Sequence, residues 1–151
     1  MTQPNPVVVK ALQQALVDLT DLSLQAKQAH WNIAGSGFRS LHLHLAEIVD
    51  EVRLAADDVA ERMTAIQAIP DGRAATVAAD SQVEPIDGGV LPTDKATVMI
   101  QERLEGVANR IKATLDEVDE YDHLSNDMLI AIATGLEKHA WMLRVSAEEQ
   151  A

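Results

Sequence analysis

Two histidines and two carboxylates in the stretch 28–63 are the residues of this sequence best suited to chemistry. His30 and His42 stand on either side of a glycine hinge, and Asp57 and Glu61 follow further along the chain. Imidazole nitrogens and carboxylate oxygens, without thiolates, suit iron, manganese or zinc and leave coordination positions open for water or an oxidant. The types and spacing of these four residues therefore predict half of a metal site.

A long helix is predicted to carry three of these four side chains. Between Phe38 and Ile69 there is no glycine or proline, and apolar residues recur three and four positions apart, which indicates one continuous helix. Asp57 and Glu61 are adjacent on that helix, and His42 lies on roughly the same face. His42 and Asp57 are nevertheless separated by about 22 Å along the helix axis, so no single ion bridges them.

A second copy of the chain can complete the site. If the long helix runs antiparallel to its copy across a two-fold axis, the histidine end of one chain meets the carboxylate end of the other. The preceding helix ends at the hinge and folds back, which brings His30 beside the start of the long helix. The sequence therefore predicts a site in which His30 and His42 of one subunit meet Asp57 and Glu61 of its neighbour.

The composition indicates a single helical domain over residues 1–151. Aromatic residues make up only 3% of the chain, so Leu, Val, Ile and Ala must build the core, as in helical bundles. The absence of cysteine excludes disulfides and thiolate metal sites. Since the sequence has neither a long apolar run nor a signal-peptide pattern, we expect a cytoplasmic protein without a membrane span.

The net charge of −12 favours cations over nucleic acid as partners. Lysine and arginine are scattered singly, and neither end of the sequence carries a lysine-rich tail, so DNA binding is not expected. The acidic residues instead include one dense cluster: Asp116, Glu117, Asp119, Glu120, Asp122 and Asp127. Such runs are usually solvated surface, although a ring of carboxylates can also concentrate cations.

Two helices are predicted before the middle of the chain. A short polar arm over residues 1–6 precedes a first helix from Val7 to about Ala34, and the second helix ends near Ile69 because a Pro-Asp-Gly cluster follows. The long link after it is rich in proline and glycine and has room for a short helix around 73–79. A link of this length can carry the chain from one end of a bundle to the other.

Two further helices complete the predicted all-α fold. Thr93 and Asp94 are predicted to cap a third helix that runs to about Tyr121, and Ser125 or Asn126 to cap a fourth that continues to near the end. The architecture is therefore a four-helix bundle with one long crossover between its second and third helices.

The site residues belong to a longer pattern that resembles a known family. The pattern comprises Lys-Gln-Ala-His-Trp-Asn at 27–32, a glycine-containing turn, Phe38, Leu41-His42, Asp57 and Ala60-Glu61-Arg62. It is similar to the signature of the Dps proteins, or mini-ferritins, and the similarity extends over the whole chain in length and helix order. The resemblance implies a ferritin-like fold and a dodecameric shell that stores ferric mineral as a defence against oxidative stress. It further implies oxidation of Fe(II) by hydrogen peroxide or oxygen at inter-subunit ferroxidase sites.

The resemblance carries over to individual residues of this chain. It assigns the iron ligands to His30, His42, Asp57 and Glu61. Lys27 and Trp31 flank His30, and the resemblance puts Trp31 beside the iron site, although a role in ordinary packing fits the sequence equally well. The resemblance also assigns Asp119, Asp122 and Asp127 to three-fold pores that admit Fe(II).

One ligand of the family pattern is missing. The family usually carries aspartate one turn after the second histidine, and this sequence has Ala46 there, while Glu47 points about 100° away. We therefore expect the iron held by His30, Asp57 and Glu61 to remain and a second iron near His42 to be weakened. The alternative function is a structural or DNA-protecting shell with an impaired ferroxidase centre.

The other histidines receive no role from the sequence. His44 faces away from His42 on the predicted helix, and neither His44 nor His139 has an identifiable partner. The single Glu-x-x-His motif at 120–123 cannot build a di-iron centre inside one bundle, which needs two such motifs, so His123 is assigned to the surface.

Overall fold

The computed structural model of the chain describes the backbone of residues 3–150 and the side chains of residues 3–148. In chain order its elements are α1 (Pro6–Asn32), β1 (Ile33–Ala34), α2 (Phe38–Ala65), α3 (Ala74–Asp80), β2 (Leu91–Pro92), α4 (Thr93–Lys112), α5 (Leu115–Tyr121) and α6 (His123–Gln150). None of the helices in this described part is long and apolar enough to cross a lipid bilayer. Part of the predicted arm, Met1 and Thr2, lies outside the described residues.

The long helices pack as two antiparallel hairpins, α1 with α2 and α4 with α6, and the two hairpins together form the bundle. The crossover runs back along the bundle, because β2 at its end pairs in parallel with β1, next to the start of α2. Consequently α2 and α4 begin at the same end of the molecule. This confirms the predicted four-helix bundle with a long crossover, and α3 confirms the predicted short helix within it.

Aliphatic side chains fill the space between the hairpins, as the low aromatic content predicts. Leucine, valine, isoleucine and alanine make up nearly all of the buried apolar residues. The largest side chains that are fully buried include Leu12, Leu19, Leu22, Leu45, Ile48, Met63, Ile100, Leu104, Leu129, Leu136 and Leu143. Each of the four long helices contributes a stripe of buried apolar residues at three-and-four spacing, which explains why these helices pack along their length.

A buried carboxylate ties α1 to the crossover and to α4. Asp18 is only 1% exposed, and its Oδ2 accepts a hydrogen bond from Nε of Arg110 at 3.0 Å. Its Oδ1 accepts from the Gln14 amide at 3.0 Å and from the backbone N–H of Gln82 at 2.9 Å. All of these bonds are directed at one charged group, so they fix the path of the crossover relative to both hairpins.

The first helix begins and ends slightly earlier than predicted. Pro6 is its first residue, and the side chain of Asn5 caps it by accepting a hydrogen bond from the N–H of Val7 at 2.9 Å. The helix ends at Asn32, because Ile33 and the next residue are extended and pair with β2. The predicted end at Ala34 was therefore too late by the length of this small strand.

The second helix ends at Ala65 and does not reach Ile69 as predicted. The N–H of Ala68 donates to the carbonyl of Met63, and that of Gln67 donates to the carbonyl of Thr64. These two bonds form a Schellman motif, with Gln67 in the left-handed region at φ 69°. Glycine usually occupies that position, so the sequence did not reveal this helix end.

The third predicted helix is interrupted, and its predicted cap has another partner. Thr93 is the first helical residue of α4, and its hydroxyl donates to the carbonyl of Ser36 at 2.7 Å rather than capping the helix. Further on, the hydroxyl and N–H of Thr114 both bond to the carbonyl of Ile111, which separates α4 from α5. Threonine thus competes with the helical hydrogen bonds, and the predicted continuous helix to Tyr121 was wrong.

The last helix begins at His123 and is capped by Asp122, not by Ser125 or Asn126 as predicted. The Asp122 carboxylate accepts hydrogen bonds from the N–H and the hydroxyl of Ser125, at 3.1 and 2.6 Å. Asp122 also ends α5, so one residue joins the two helices. A carboxylate at this position stabilises the positive end of the helix dipole.

Candidate metal centre

The two histidines at the hinge form a reciprocally bonded pair. Nδ1 of His30 lies 2.7 Å from the carbonyl oxygen of His42, and Nδ1 of His42 lies 2.8 Å from the carbonyl oxygen of His30. The rings stack with centroids 3.7 Å apart and an interplanar angle of 13°. The carbonyl of His30 is available because it lies in the last turn of α1, where carbonyls lack helical partners.

These hydrogen bonds determine which ring atoms can bind a metal. A carbonyl oxygen only accepts, so Nδ1 of each ring must carry the proton. In the neutral ring the lone pair is then on Nε2, and both Nε2 atoms remain available as ligands. A ligating histidine is commonly held in this way by a bond from its other nitrogen, which fixes both tautomer and orientation. The histidine pair of one chain therefore presents two Nε2 lone pairs as candidate metal ligands.

The hinge between the two histidines is held by the end of the crossover. Ile33 pairs with Leu91 in the β1–β2 bridge, and the Thr93 hydroxyl bonds to the carbonyl of Ser36. Gly35 has φ 129°, and a Cβ atom at this position would lie 3.0 Å from the Thr93 hydroxyl oxygen. Glycine is therefore required at this position both for its backbone conformation and for the close approach of α4.

The two predicted carboxylates lie on the same helix as His42 but not beside it. Asp57 and Glu61 are both exposed, one turn apart near the far end of α2. Among the side chains of residues 3–148, no three histidine, aspartate or glutamate groups converge closely enough to hold a metal ion. A centre built from these four residues consequently needs ligands from two chains.

A partly buried ion pair anchors the carboxylate end of α2. Nη2 of Arg62 lies 3.0 Å from both carboxylate oxygens of Asp122, and its Nε donates to the hydroxyl of Ser125 at 2.9 Å. Burial alone raises the pKa of Asp122, but the hydrogen bonds from Ser125 and Arg62 outweigh it, so the pKa is lowered. The residue next to Glu61 is thus fixed to the start of α6.

The side chains around the histidine pair differ in their exposure and contacts. Trp31 is 66% exposed, and Nζ of Lys27 lies 5.8 Å from its ring centroid. Ala46 is partly buried one turn after His42, where its methyl group offers no ligand. On the other side of His42, the ring of Phe38 stacks at 5.1 Å between centroids.

The acidic residues assigned to a pore differ in their environments. Asp119 and Asp127 are exposed, whereas Asp122 is committed to Arg62 and Ser125. Oδ1 of Asp119 lies 2.7 Å from Nδ1 of His123, and this hydrogen bond and charge raise the pKa of His123. The His123 side chain is 83% exposed, in agreement with its assignment to the surface.

Two histidines that sequence reasoning left without partners contact each other. Nε2 of His44 lies 3.0 Å from Nδ1 of His139, and Nε2 of His139 lies 2.9 Å from Oε2 of Glu51. The pKa of His44 is lowered, mainly by burial and to a smaller extent by positive charge on His139. The negative charge of Glu47 has a smaller effect in the opposite direction. The sequence held no signal for this contact, because the residues lie on helices from different hairpins.

Comparison with known proteins gives a consistent picture. Residues 9–149 match the ferritin-like domain family. The chain is 36% identical over 136 residues to DNA protection during starvation protein 2 of Deinococcus radiodurans, covering 90% of this chain but only 56% of that relative's length. It is 33% identical to the fine tangled pili major subunit of Haemophilus ducreyi, covering 91% of this chain and 73% of that protein. The crystal structure of Dps92 from D. radiodurans superposes with a TM-score of 0.90 at 35% identity, covering 92% of this chain and 84% of the other.

Proposed function

Since the chain belongs to the Dps mini-ferritins within the ferritin-like family, we propose that it oxidises Fe(II) at centres shared between two copies and stores the ferric product. Proteins of this family assemble into oligomeric shells and serve in iron storage and DNA protection. We propose that the shell is a dodecamer, that it has ferroxidase activity and that it lies in the cytoplasm.

The observation that carries the proposal is the reciprocal bonding of His30 and His42. Two neutral imidazoles with free Nε2 atoms, fixed in orientation, can bind Fe(II) without prior rearrangement. They supply no charge, so a divalent ion bound to them alone remains uncompensated. Asp57 and Glu61 of a second copy provide the two negative charges that complete the centre.

The division of ligands suits oxidation. Carboxylate oxygens are hard ligands and stabilise Fe(III) more than Fe(II), so electron loss is favoured at the carboxylate side. Two Fe(II) ions each give up one electron, and one hydrogen peroxide molecule takes up both electrons and two protons to form two water molecules. Because the Nδ1 protons of His30 and His42 are held in structural hydrogen bonds, the two histidines do not supply the two protons. These protons come from solvent.

The net charge of −12 supports the supply of substrate and the storage of product. An assembly of such chains attracts Fe(II) and provides carboxylates on which ferric ions can collect. We propose Asp119 and Asp127 as residues of the path along which Fe(II) enters, because both remain exposed.

A second candidate function is favoured by Ala46. Without a carboxylate at this position, a second iron near His42 has one ligand fewer, and oxidation that needs two ions is slowed. The chain is then a structural or DNA-protecting shell with an impaired ferroxidase centre. Direct binding of DNA by the acidic chain itself is disfavoured by its charge.

Mixed assemblies test whether the centre is shared. One variant lacks both histidines (His30→Ala with His42→Ala), and the other lacks both carboxylates (Asp57→Asn with Glu61→Gln). Each variant alone has no intact centre, whereas a two-fold interface between the two variants contains one intact and one empty centre. With random mixing, half of the interfaces are mixed, so about a quarter of the wild-type rate returns.

The rate is measured by stopped-flow absorbance after Fe(II) and peroxide are added to the mixed assembly. Refolding the same two variants separately and then combining the finished shells is the control, and it should restore no activity. A mixed assembly that is no faster than the separate variants argues against a shared centre. A wild-type rate no better than buffer supports the impaired shell instead.

A further inference from the structure

A second group of metal-binding side chains lies between α2 and α6. Nε2 of His44 and Nδ1 of His139 are 3.0 Å apart, and Nε2 of His139 lies 2.9 Å from a carboxylate oxygen of Glu51. His44 follows His42 by two positions and so projects about 200° around the helix from it. We propose that His44 and His139 together bind a divalent transition-metal ion, with Glu51 holding His139 in the ligating orientation.

The separation of the two nitrogens fits a shared ion. Imidazole nitrogens bind Zn(II) at about 2.0–2.1 Å, so two of them on one ion, at angles between a right angle and a tetrahedral one, lie about 2.9–3.4 Å apart. The nitrogens of His44 and His139 meet this requirement at 3.0 Å. Their ring centroids are 5.2 Å apart with an interplanar angle of 42°, so the rings meet edge to edge without stacking, and each must turn for both lone pairs to point at one ion.

Glu51 supplies the support that a ligating histidine commonly has. Its carboxylate accepts the Nε2 proton of His139, which leaves the lone pair of the neutral ring on Nδ1, directed at His44. In the metal-free chain, Nε2 of His44 donates its proton to that lone pair. When the ion binds, the proton of His44 moves to its own Nδ1, so both rings stay neutral and no net proton is lost.

The surroundings of the pair provide access and charge. The side chain of His139 is only 9% exposed, whereas His44 lines a cavity of about 270 Å³ that also borders Ser40, Thr97 and Ser146. This cavity has room for water ligands. Glu47, one helical turn after His44, adds negative charge on the same face of α2.

The ligand set determines which ions bind. Since no three histidine or acidic side chains converge in residues 3–148, the protein supplies two nitrogens and water fills the other positions. Such a site favours ions with a strong preference for imidazole, namely Zn(II), Cu(II) and Ni(II), over Mg(II) or Ca(II). It lies apart from the His30 and His42 pair, and the inference does not depend on the proposed ferroxidase function.

The direct test uses the unmodified protein. Crystals soaked in Zn(II) are expected to show an anomalous peak about 2.0–2.1 Å from both His44 Nε2 and His139 Nδ1. Zinc found beside His30 with none between His44 and His139 would overturn the proposal.

Titration in solution gives the second test. In calorimetry with Zn(II), His44→Gln is expected to bind one ion fewer per chain than the wild type. Glu51→Gln is expected to bind Zn(II) at this site about 10–100-fold more weakly than the wild type. His123→Gln is the matched control, because His123 is a surface histidine outside both groups. Loss of His42 (His42→Ala) should leave this ion in place, which separates it from the iron centre. Equal stoichiometry and affinity in wild type and His44→Gln would contradict the site.

Discussion

His30 and His42 each donate from Nδ1 to the backbone carbonyl of the other, at 2.7 and 2.8 Å. Because both acceptors belong to the backbone, replacing one side chain leaves the acceptor of the other ring in place. The two imidazoles can therefore be removed one at a time without releasing the remaining ring.

The first prediction concerns these two ligands separately. His30→Gln should abolish tight Fe(II) binding and lower the oxidation rate at least about tenfold. Loss of a hydrogen bond that supports a ligating histidine commonly costs about 10–100-fold in metal affinity or activity, and loss of the ligand itself should cost at least as much. His42→Gln should retain the iron that His30 shares with the carboxylates of a second copy. Anaerobic Fe(II) titration and stopped-flow oxidation measure both effects, with His123→Gln as the control. Equal loss of binding in the two variants would contradict the assignment.

The second prediction is a gain of binding at position 46. Ala46→Asp places a carboxylate one turn after His42 on the same helical face, where it can contribute to a second iron. We expect the number of tightly bound Fe(II) ions per centre to rise and oxidation by peroxide to accelerate. Ala46→Asn is the matched control, since it has nearly the same shape without the charge. The prediction fails if the wild type already binds two irons with equal affinity.

The third prediction concerns the pH dependence of stability. Folding lowers the pKa of Asp122 below its ordinary value of 3.8. The contribution of Asp122 to the free energy of unfolding is therefore complete above pH 3.8 and is lost as the pH falls through the lower pKa of the folded state. Asp122→Asn should reduce the free energy of unfolding by about 1–2 kcal/mol at neutral pH and flatten its dependence on pH below that ordinary value. Denaturant unfolding at a series of pH values measures this. The exposed residue Asp116, as Asp116→Asn, serves as the control.

The fourth prediction separates the acidic residues near α5. Asp119→Asn with Asp127→Asn should slow iron uptake while leaving assembly intact, because both carboxylates are exposed and able to attract cations. Asp122→Asn should act mainly on stability through Arg62. Uptake is followed as mineral formation in assembled shells, with size-exclusion chromatography as the check on assembly. Unchanged uptake in the double variant would remove the pore assignment.

The fifth prediction compares a buried and an exposed ion pair. Asp18→Asn should lower the free energy of unfolding by about 2–3 kcal/mol, because it removes the charge that accepts three hydrogen bonds, one of them from Arg110. Asp71→Asn, which breaks the pair with the exposed Arg73, should cost clearly less since water screens that pair. Urea unfolding of both variants tests the order. A larger loss for the exposed pair would contradict it.

Much of the helical framework followed from the sequence. The long apolar periodicity and the breaker residues predicted the number of long helices, the crossover and its short helix. The ends of the helices were less predictable, because they depend on individual contacts. Gln67 takes a left-handed conformation that glycine normally adopts, and Thr93 bonds to Ser36 instead of capping its own helix. Tertiary packing determines these helix ends, and local helix propensity carries no information about tertiary packing.

The candidate site was partly predictable for a similar reason. The spacing of His42, Asp57 and Glu61 on one helix implied that ligands from two chains must meet, since the helix separates them by about 22 Å. The reciprocal bonds of the histidine pair and the contact between His44 and His139 involve residues on different helices. The hinge predicted that His30 lies beside the start of the second helix, but the spacing along one chain does not encode the reciprocal bonds or the contact between His44 and His139.

The pairing of Ile33 with Leu91 also affects the order in which the protein is completed during synthesis. A nascent chain that has released only α1 and α2 contains both hinge histidines but not the strand and the hydroxyl that hold the turn between them. We therefore expect the histidine half of the centre to reach its final shape only after the ribosome has delivered the start of α4. We expect capture of metal at the proposed centre to be postponed in the same way, until the bundle can close around its core.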